Sequence, residues 1–305
     1  MLGNRPFRKI LCYHGVSANP DFWLNNRHMP VRQFEKDLLF YKKNYDVLSV
    51  KEIFRRYREG LPQKRSEIAL TLDDGFLNNF LYVKPLLEKY QVPASFYILS
   101  QSIENPQFVN WADLTDVILY QMNDEVINFH QHEYFKNAGW RNKAGESIFE
   151  SIKRMGFQRD EALSEFAGRY NGVEKLKAIP EELWKPMSAS QLTECAQSPF
   201  ITIGSHTHKH YNLANIPIDL AVAELKESKT KLEEHIQKEV DEIAYPDGSY
   251  NDAVKRKSEA IGYKFQLAVN YREQDDFSDP RILNRFSVSN STTHEGNIIR
   301  LYLNK

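Results

Sequence analysis

Short runs made mostly of apolar or β-branched residues punctuate this chain of 305 residues: Ile10-Leu11-Cys12-Tyr13, Tyr45 to Val50, Ile68-Ala69-Leu70-Thr71-Leu72, Ala94 to Leu99, Ile201-Thr202-Ile203, Glu242 to Tyr245 and Phe265 to Val269. A strand with one wet face alternates apolar and polar residues. These do not, so they read as parallel strands buried on both faces. Helical patterns lie between them. Val31, Phe34, Leu38 and Tyr41 recur at spacings of three and four behind Pro30, and Leu225, Leu232 and Ile236 make an apolar stripe in the charged stretch Leu220 to Ile236. Strand and helix in alternation predict an α/β sheet or barrel.

The rhythm fails between about Asn105 and Ser190. There the pattern predicts a helix over Trp111 to Gln121, a hairpin over Val126 to Phe135, and charged helices over Glu146 to Met155 and Asp160 to Tyr170, with breaks at Asn171-Gly172 and Ile179-Pro180. This stretch reads as a mainly helical insertion, a subdomain held at both ends by one barrel domain that takes up the chain.

Composition narrows the function classes. Lys and Arg number 40 against 41 Asp and Glu, a balance that leaves no basic face for nucleic acid or anionic lipid. No run approaches the ~20 apolar residues of a membrane span, and the apolar stretch Ile10 to Val16 is interrupted by His14, so a secretory apolar region is missing. The expectation is a cytoplasmic protein with no integral membrane segment. Cys12 and Cys195 have no paired spacing for a disulfide framework or a thiolate metal site and are expected to be buried, reduced thiols.

Two runs carry chemistry. The strand Ile68 to Leu72 ends in Asp73-Asp74-Gly75-Phe76. Two adjacent carboxylates at the mouth of a buried strand cost several kcal/mol unless something cationic compensates them, and a metal ion is the economical candidate; an ordinary strand-to-turn Asp-Asp-Gly is the plainer reading. The second run, Gly204-Ser205-His206-Thr207-His208-Lys209-His210, follows the strand Ile201 to Ile203 and holds three of the nine histidines. If it turns helically, His206 and His210 share a face, as two imidazoles on one ion must, and His208 points away. A polar surface loop is the alternative. One carboxylate with two histidines leaves open coordination positions, which suits a hydrolytic site better than a closed structural one.

In this order, each behind a strand, Thr71-Leu72-Asp73-Asp74-Gly75 and His206-Thr207-His208-Lys209-His210 resemble the first two motifs of the polysaccharide deacetylase family, carbohydrate esterase family four: Thr-Phe-Asp-Asp-Gly and His-Ser/Thr-x-x-His. The resemblance covers about Leu11 to Ser102 and Gln191 to Arg285. It implies a distorted barrel of fewer than eight β/α units, a (β/α)7 barrel, and the seven runs above agree. It implies further that Asp74, His206 and His210 hold one divalent ion, Zn2+ first with Co2+, Ni2+ or Mn2+ as alternatives, and that Asp73 is the general base. The family's third motif has its equivalent in Ala244-Tyr245-Pro246-Asp247-Gly248, where the backbone N–H of Asp247 would donate to the developing oxyanion.

Two departures follow. Many members carry an arginine two residues before that proline to orient the base, where this chain has Ala244; Arg285 is the substitute candidate, with an ordinary structural arginine as the alternative. The usual Leu-x-His that supplies the general acid is missing, and His294 sits in a polar stretch that reads as a loop. Instead Tyr13-His14-Gly15-Val16 is similar to the Tyr-His-x-Val run of the branch that deacetylates poly-N-acetylglucosamine, which makes His14 the candidate acid; a buried structural histidine is the alternative. The resemblance thus implies a metal-dependent hydrolase that removes acetyl groups from an N-acetylated sugar in a glycan or glycan precursor. Trp23, Trp111 and Tyr250 could stack on a sugar face, although a place in the core is the first expectation for each of them. Competing readings are a hydrolase of cyclic amides on the same fold, a carbohydrate-binding protein without turnover, and a merely structural ion.

Overall fold

The computed structural model describes residues 6–19 and 24–303, so Trp23 lies outside the described residues. The chain begins β1 (Arg8–Tyr13), β2 (Gly15–Ser17), β3 (His28–Pro30), α1 (Val31–Asn44), β4 (Asp46–Val47), α2 (Val50–Arg58), β5 (Glu67–Leu72), α3 (Lys84–Tyr90) and β6 (Ala94–Ile98). A long excursion follows through α4 (Gln101–Glu104), α5 (Trp111–Tyr120), β7 (Val126–Phe129), β8 (His132–Phe135), α6 (Ile148–Arg154), α7 (Arg159–Arg169), α8 (Gly172–Lys177) and α9 (Ala189–Gln197). It ends with β9 (Ile201–Ser205), α10 (Ile218–Ile236), β10 (Glu242–Ala244), α11 (Asp252–Ile261), β11 (Phe265–Ala268), β12 (Ile282–Ser287) and α12 (His294–Leu303).

Seven parallel strands close a barrel in the order β1-β12-β11-β10-β9-β6-β5, with β5 returning to β1 over Arg8↔Glu67 to Tyr13↔Leu72. Period-two geometry sorts each strand's side chains. Leu70 and Leu72 of β5 face the outer helices in the largest apolar cluster, beside Phe34, Leu38 and Leu87. Ile10, Ala69, Tyr97, Ala244, Leu267 and Leu283, one from each of six strands, face inward and pack with Val50, Ile53 and Phe54 of α2. Helix α2 therefore plugs the N-terminal end of the barrel, and Arg56 pins it to Glu67 at the start of β5 (2.6 Å).

The count of seven holds, but one member differs. Tyr45 to Val50 is not a barrel strand. Only Asp46–Val47 pairs, on the outside of β5, because the Ser49 hydroxyl accepts from the Glu52 N–H and starts α2 at Val50. Its place is taken by β12, whose inward Arg285 breaks the apolar pattern that marks the other strands.

Adjacent strands β6 and β9 are separated by the α4–α9 excursion. Its helices and the β7–β8 hairpin share an apolar cluster of their own, including Trp111, Ile118, Ile127, Tyr134, Ile152 and Phe166. No helix among the described residues is long and apolar enough to cross a membrane.

Candidate active site

Parallel strands deliver their C-terminal ends to one mouth. There the turn after β5 carries Asp73 and Asp74, the loop after β9 carries His206 and His210, the turn after β10 carries Asp247, and the end of β1 carries His14. The β5 turn is sharp: Asp74 (φ 70°) and Gly75 (φ 67°) both adopt the left-handed region, which aspartate tolerates and glycine takes without penalty. The result turns the two neighbouring carboxylates to different partners.

Asp74 Oδ1 lies 3.7 Å from His206 Nε2 and 3.5 Å from His210 Nε2. All three side chains are buried. The helical turn that would put His206 and His210 on one face does not form; Thr207 (φ 69°) and His210 (φ 60°) are left-handed, and that coil, rather than a helix face, brings the rings to 4.9 Å. His208 points away, with Nδ1 3.0 Å from the Ser100 hydroxyl.

Asp73 makes a different set of contacts. Arg285 Nη1 and Nη2 donate to its two oxygens at 2.6 and 2.8 Å, a bidentate pair inside the barrel. Burial alone would raise the Asp73 pKa, but this guanidinium holds it well below the usual carboxylate range. The Cys12 thiol approaches Oδ2 at 3.6 Å, and a ring nitrogen of half-buried His14 completes a trio with these two residues within 4.8 Å. Burial pushes the His14 pKa down to about 4. Both cysteines are free and buried.

The carboxylate of Asp247 (φ 53°) receives Lys153 Nζ of α6 at 2.5 Å. The cleft so enclosed is about 290 Å³ and is walled on one side by Trp111, Phe149 and Lys153. These three come from the excursion and carry no motif; Trp111 is a stacking candidate by its ring alone, while Phe149 and Lys153 show a role only when α5 and α6 fold over the mouth. Asn110, likewise unflagged by sequence, caps α5 and donates to Asp74 Oδ1 at 3.1 Å. Arg27 also lines the cleft and binds Asp113 and Asp116 of α5 (2.5 and 2.6 Å).

Another expectation is corrected. His294 is not a loop residue: it is buried, opens α12 and hydrogen-bonds Asp37 beneath the Phe40 ring, because Asp37 on buried α1 needs a partner. Tyr250, by contrast, takes the core place expected first for such a ring, stacked on Tyr245 at 5.1 Å with its hydroxyl on Asp276.

The Asp74 triad fits a metal ion on several counts. Tetrahedral ligands about 2.0–2.1 Å from zinc stand roughly 3.3 Å apart, close to the spacings here. His206 Nδ1 lies 2.7 Å from the Ala244 carbonyl, which puts the ring proton on Nδ1 and leaves Nε2 free to ligate. Burial lowers the pKa of both histidines, so both are neutral, while burial and then the Asp113 and Asp73 carboxylates push Asp74 well up. One contact runs the other way. The Trp111 indole N–H donates to His210 Nδ1 (3.1 Å), which keeps the neutral ring's proton on Nε2, so ligation by His210 requires the indole or the imidazole to turn. Two other clusters of donors are already satisfied: Arg285 occupies Asp73 in the Cys12 trio, and Lys231 bridges the exposed carboxylates of Glu104 and Glu227 beside His208.

The chain is similar to known proteins in sequence and in fold. In sequence, YxkH of Bacillus subtilis (strain 168) is 26% identical over 176 residues, 55% of this chain and 59% of that protein. The poly-beta-1,6-N-acetyl-D-glucosamine N-deacetylase of Escherichia coli (strain K12) is 21% identical over 187 residues, 55% of this chain and 27% of that protein. The chain thus spans well under the full length of either relative. In structure, the Streptococcus pyogenes deacetylase PplD, solved in complex with acetate, superposes with a TM-score of 0.62 at 18% identity over 96% of both chains. IcaB from Ammonifex degensii gives 0.59 at 15% identity over 93% of this chain and 92% of its own. At such identities these two speak for the fold. The profile of one family matches residues 60–157 and 163–266, more than half of the sequence, and the chain belongs to that family, the polysaccharide deacetylases.

Proposed function

We propose that the protein is a metal-dependent hydrolase that cleaves the acetamide of an N-acetylated sugar, in a glycan or glycan precursor, into a free amine and acetate. The observation that carries this reading is the pairing of two carboxylates with opposite surroundings: Asp74 against two neutral histidines, Asp73 locked on Arg285. We also read the chain as one barrel domain with an inserted subdomain at about 105–190. The cleft volume of about 290 Å³ is at the small end for ligand sites, roughly 300–1,000 Å³, and suits a single sugar residue.

Asp74, His206 and His210 would hold the divalent ion, Zn2+ in the first place, which supplies Lewis-acid polarisation of the carbonyl and a lowered pKa for water. Asp73, its ionised form favoured by the Arg285 guanidinium, accepts the proton of the attacking water, and Arg285 holds both of its oxygens in line for that transfer. The water oxygen bonds to the acetyl carbon, and the Asp247 backbone N–H receives the oxyanion. His14 is neutral before reaction because burial lowers its pKa to about 4. It passes on the proton that Asp73 removed, delivering it to the sugar nitrogen as the C–N bond breaks and acetate leaves.

The test is acetate release from a panel of N-acetylated sugars, with and without chelator, by wild type and Asp73→Asn. The Escherichia coli relative's name makes β-1,6-linked N-acetylglucosamine oligomers the first substrates to try. Chelation should abolish release, zinc should restore it, and Asp73→Asn should bind zinc yet lose about 10²–10⁴-fold in rate. A zinc-loaded Asp73→Asn that works at the wild-type rate removes Asp73 from the base role.

A further inference from the structure

The loop that carries both histidines of the triad is gripped from two sides. From the barrel side, buried Glu224 of α10 accepts the backbone N–H groups of His208 and Lys209 on one oxygen, at 3.1 and 2.8 Å. From the other side comes Arg159, the first residue of α7. Its Nη1 donates to the His210 carbonyl at 2.7 Å and its Nη2 to the Lys209 carbonyl at 2.8 Å. The guanidinium is 5% exposed, lies 4.1 Å over the Tyr211 ring and 5.8 Å from the Trp111 ring.

The loop needs such holders. Thr207 and His210 sit in the left-handed region, where a non-glycine residue persists only when its surroundings over-determine it. Carbonyls in an irregular buried loop have no ladder partner and must find one elsewhere. A planar fork can serve two adjacent carbonyls at once, which a lysine ammonium on a flexible stem does not match. Ligand side chains tolerate only about 0.5 Å of misplacement, so the backbone of His210 sets where its ring can reach.

We infer that Arg159 is the positioning residue through which the excursion between β6 and β9 fixes His210 for metal binding, so that the metal centre is built jointly by barrel and excursion. This rests on the reading of Asp74, His206 and His210 as ligands. Arg159 touches neither the metal position nor substrate; it acts through the His210 backbone.

The test measures the zinc dissociation constant of purified full-length protein by competition with a chromophoric chelator, for wild type, Arg159→Ala, Arg159→Lys and Arg169→Ala. Arg169 lies on the same helix with its side chain exposed and paired to Glu165. Circular dichroism and urea midpoints report folding separately. One zinc per wild-type chain, roughly 10–100-fold weaker binding in both Arg159 variants and unchanged binding in Arg169→Ala support the inference. Wild-type zinc affinity in folded Arg159→Lys overturns it, whatever becomes of Arg159→Ala, and so does an equal loss in Arg169→Ala. If wild type itself binds neither zinc nor cobalt, the ligand reading falls instead, and the two failures are told apart by that first measurement.

Discussion

Arg285 and Asp73 form a pair whose worth lies in geometry as much as charge. Both are buried, so each charge would stand uncompensated without the other. The carboxyl is held below its ordinary value, and the stability this contributes is present above the unfolded pKa of about 3.9 and lost as pH falls through the folded one. Arg285→Lys keeps a cation but replaces the two-pronged contact with a point charge. The Asp73 carboxyl should then rise, the acidic limb of the rate–pH profile should move to higher pH, and the rate at neutral pH should fall by about tenfold or more. An unmoved acidic limb would mean that Arg285 does not set the ionisation of Asp73. Arg285 was readable only as a candidate, since one arginine in Leu283-Asn284-Arg285-Phe286 gives no hint of which residue it will face; register against Ile10 of β1 turns it toward Asp73.

At the scale of elements, the strand-to-turn unit at the end of β5 was legible and the histidine loop only partly so. Continuous apolarity followed by Asp-Asp-Gly announces a buried strand and a stop. Gly75 is required there twice over: its φ of 67° disfavours any side chain, and a Cβ would come within 2.9 Å of Ile98 Cδ1. Gly75→Ala should therefore destabilise the protein by roughly 1–3 kcal/mol and lower acetate release by more than the loss of folded protein explains, because Asp73 and Asp74 turn with the backbone. Urea denaturation beside activity per folded molecule checks this; activity that tracks the folded fraction alone would show the turn to be a stability element only. The spacing of His206 and His210 anticipated that the two rings meet, but not the conformation that brings them together. Helical spacing and a left-handed coil both bring positions four apart together, and sequence does not distinguish them. Likewise Tyr45 to Val50 has strand composition, yet the Ser49 cap commits it to α2.

At the scale of the whole molecule, the apolar cluster that packs on α2 inside the barrel borders buried polar groups. Tyr97, a member of that cluster, donates its hydroxyl to Glu242 Oε2 at 2.8 Å, and its ring sits 5.7 Å from the Arg285 guanidinium. Burial pushes the Glu242 pKa up to about 7. With the folded value above the unfolded one, the stability linked to this group is full below the unfolded pKa of about 4.3 and is lost as pH rises through about 7. Glu242→Gln should thus come close to wild type near pH 4 and exceed it by on the order of 1–3 kcal/mol near pH 8. Denaturation midpoints of both proteins at the two pH values decide it, and a pH-independent difference would contradict the buried, protonated carboxyl.

By itself the sequence determined the alternation of strand and helix, the place where that alternation lapses, and the residue types of the chemistry, because hydrophobic period and short-range motifs are local properties. What only the tertiary structure decided is who faces whom. Barrel closure put Arg285 on Asp73 across β1 and β12, and the fold of the α4–α9 excursion put Asn110, Trp111, Lys153 and Arg159 against the mouth. Those contacts join residues from tens to more than two hundred positions apart, and no local pattern encodes them, since the energy that selects them comes from burying and pairing charges that meet only after the chain has closed on itself.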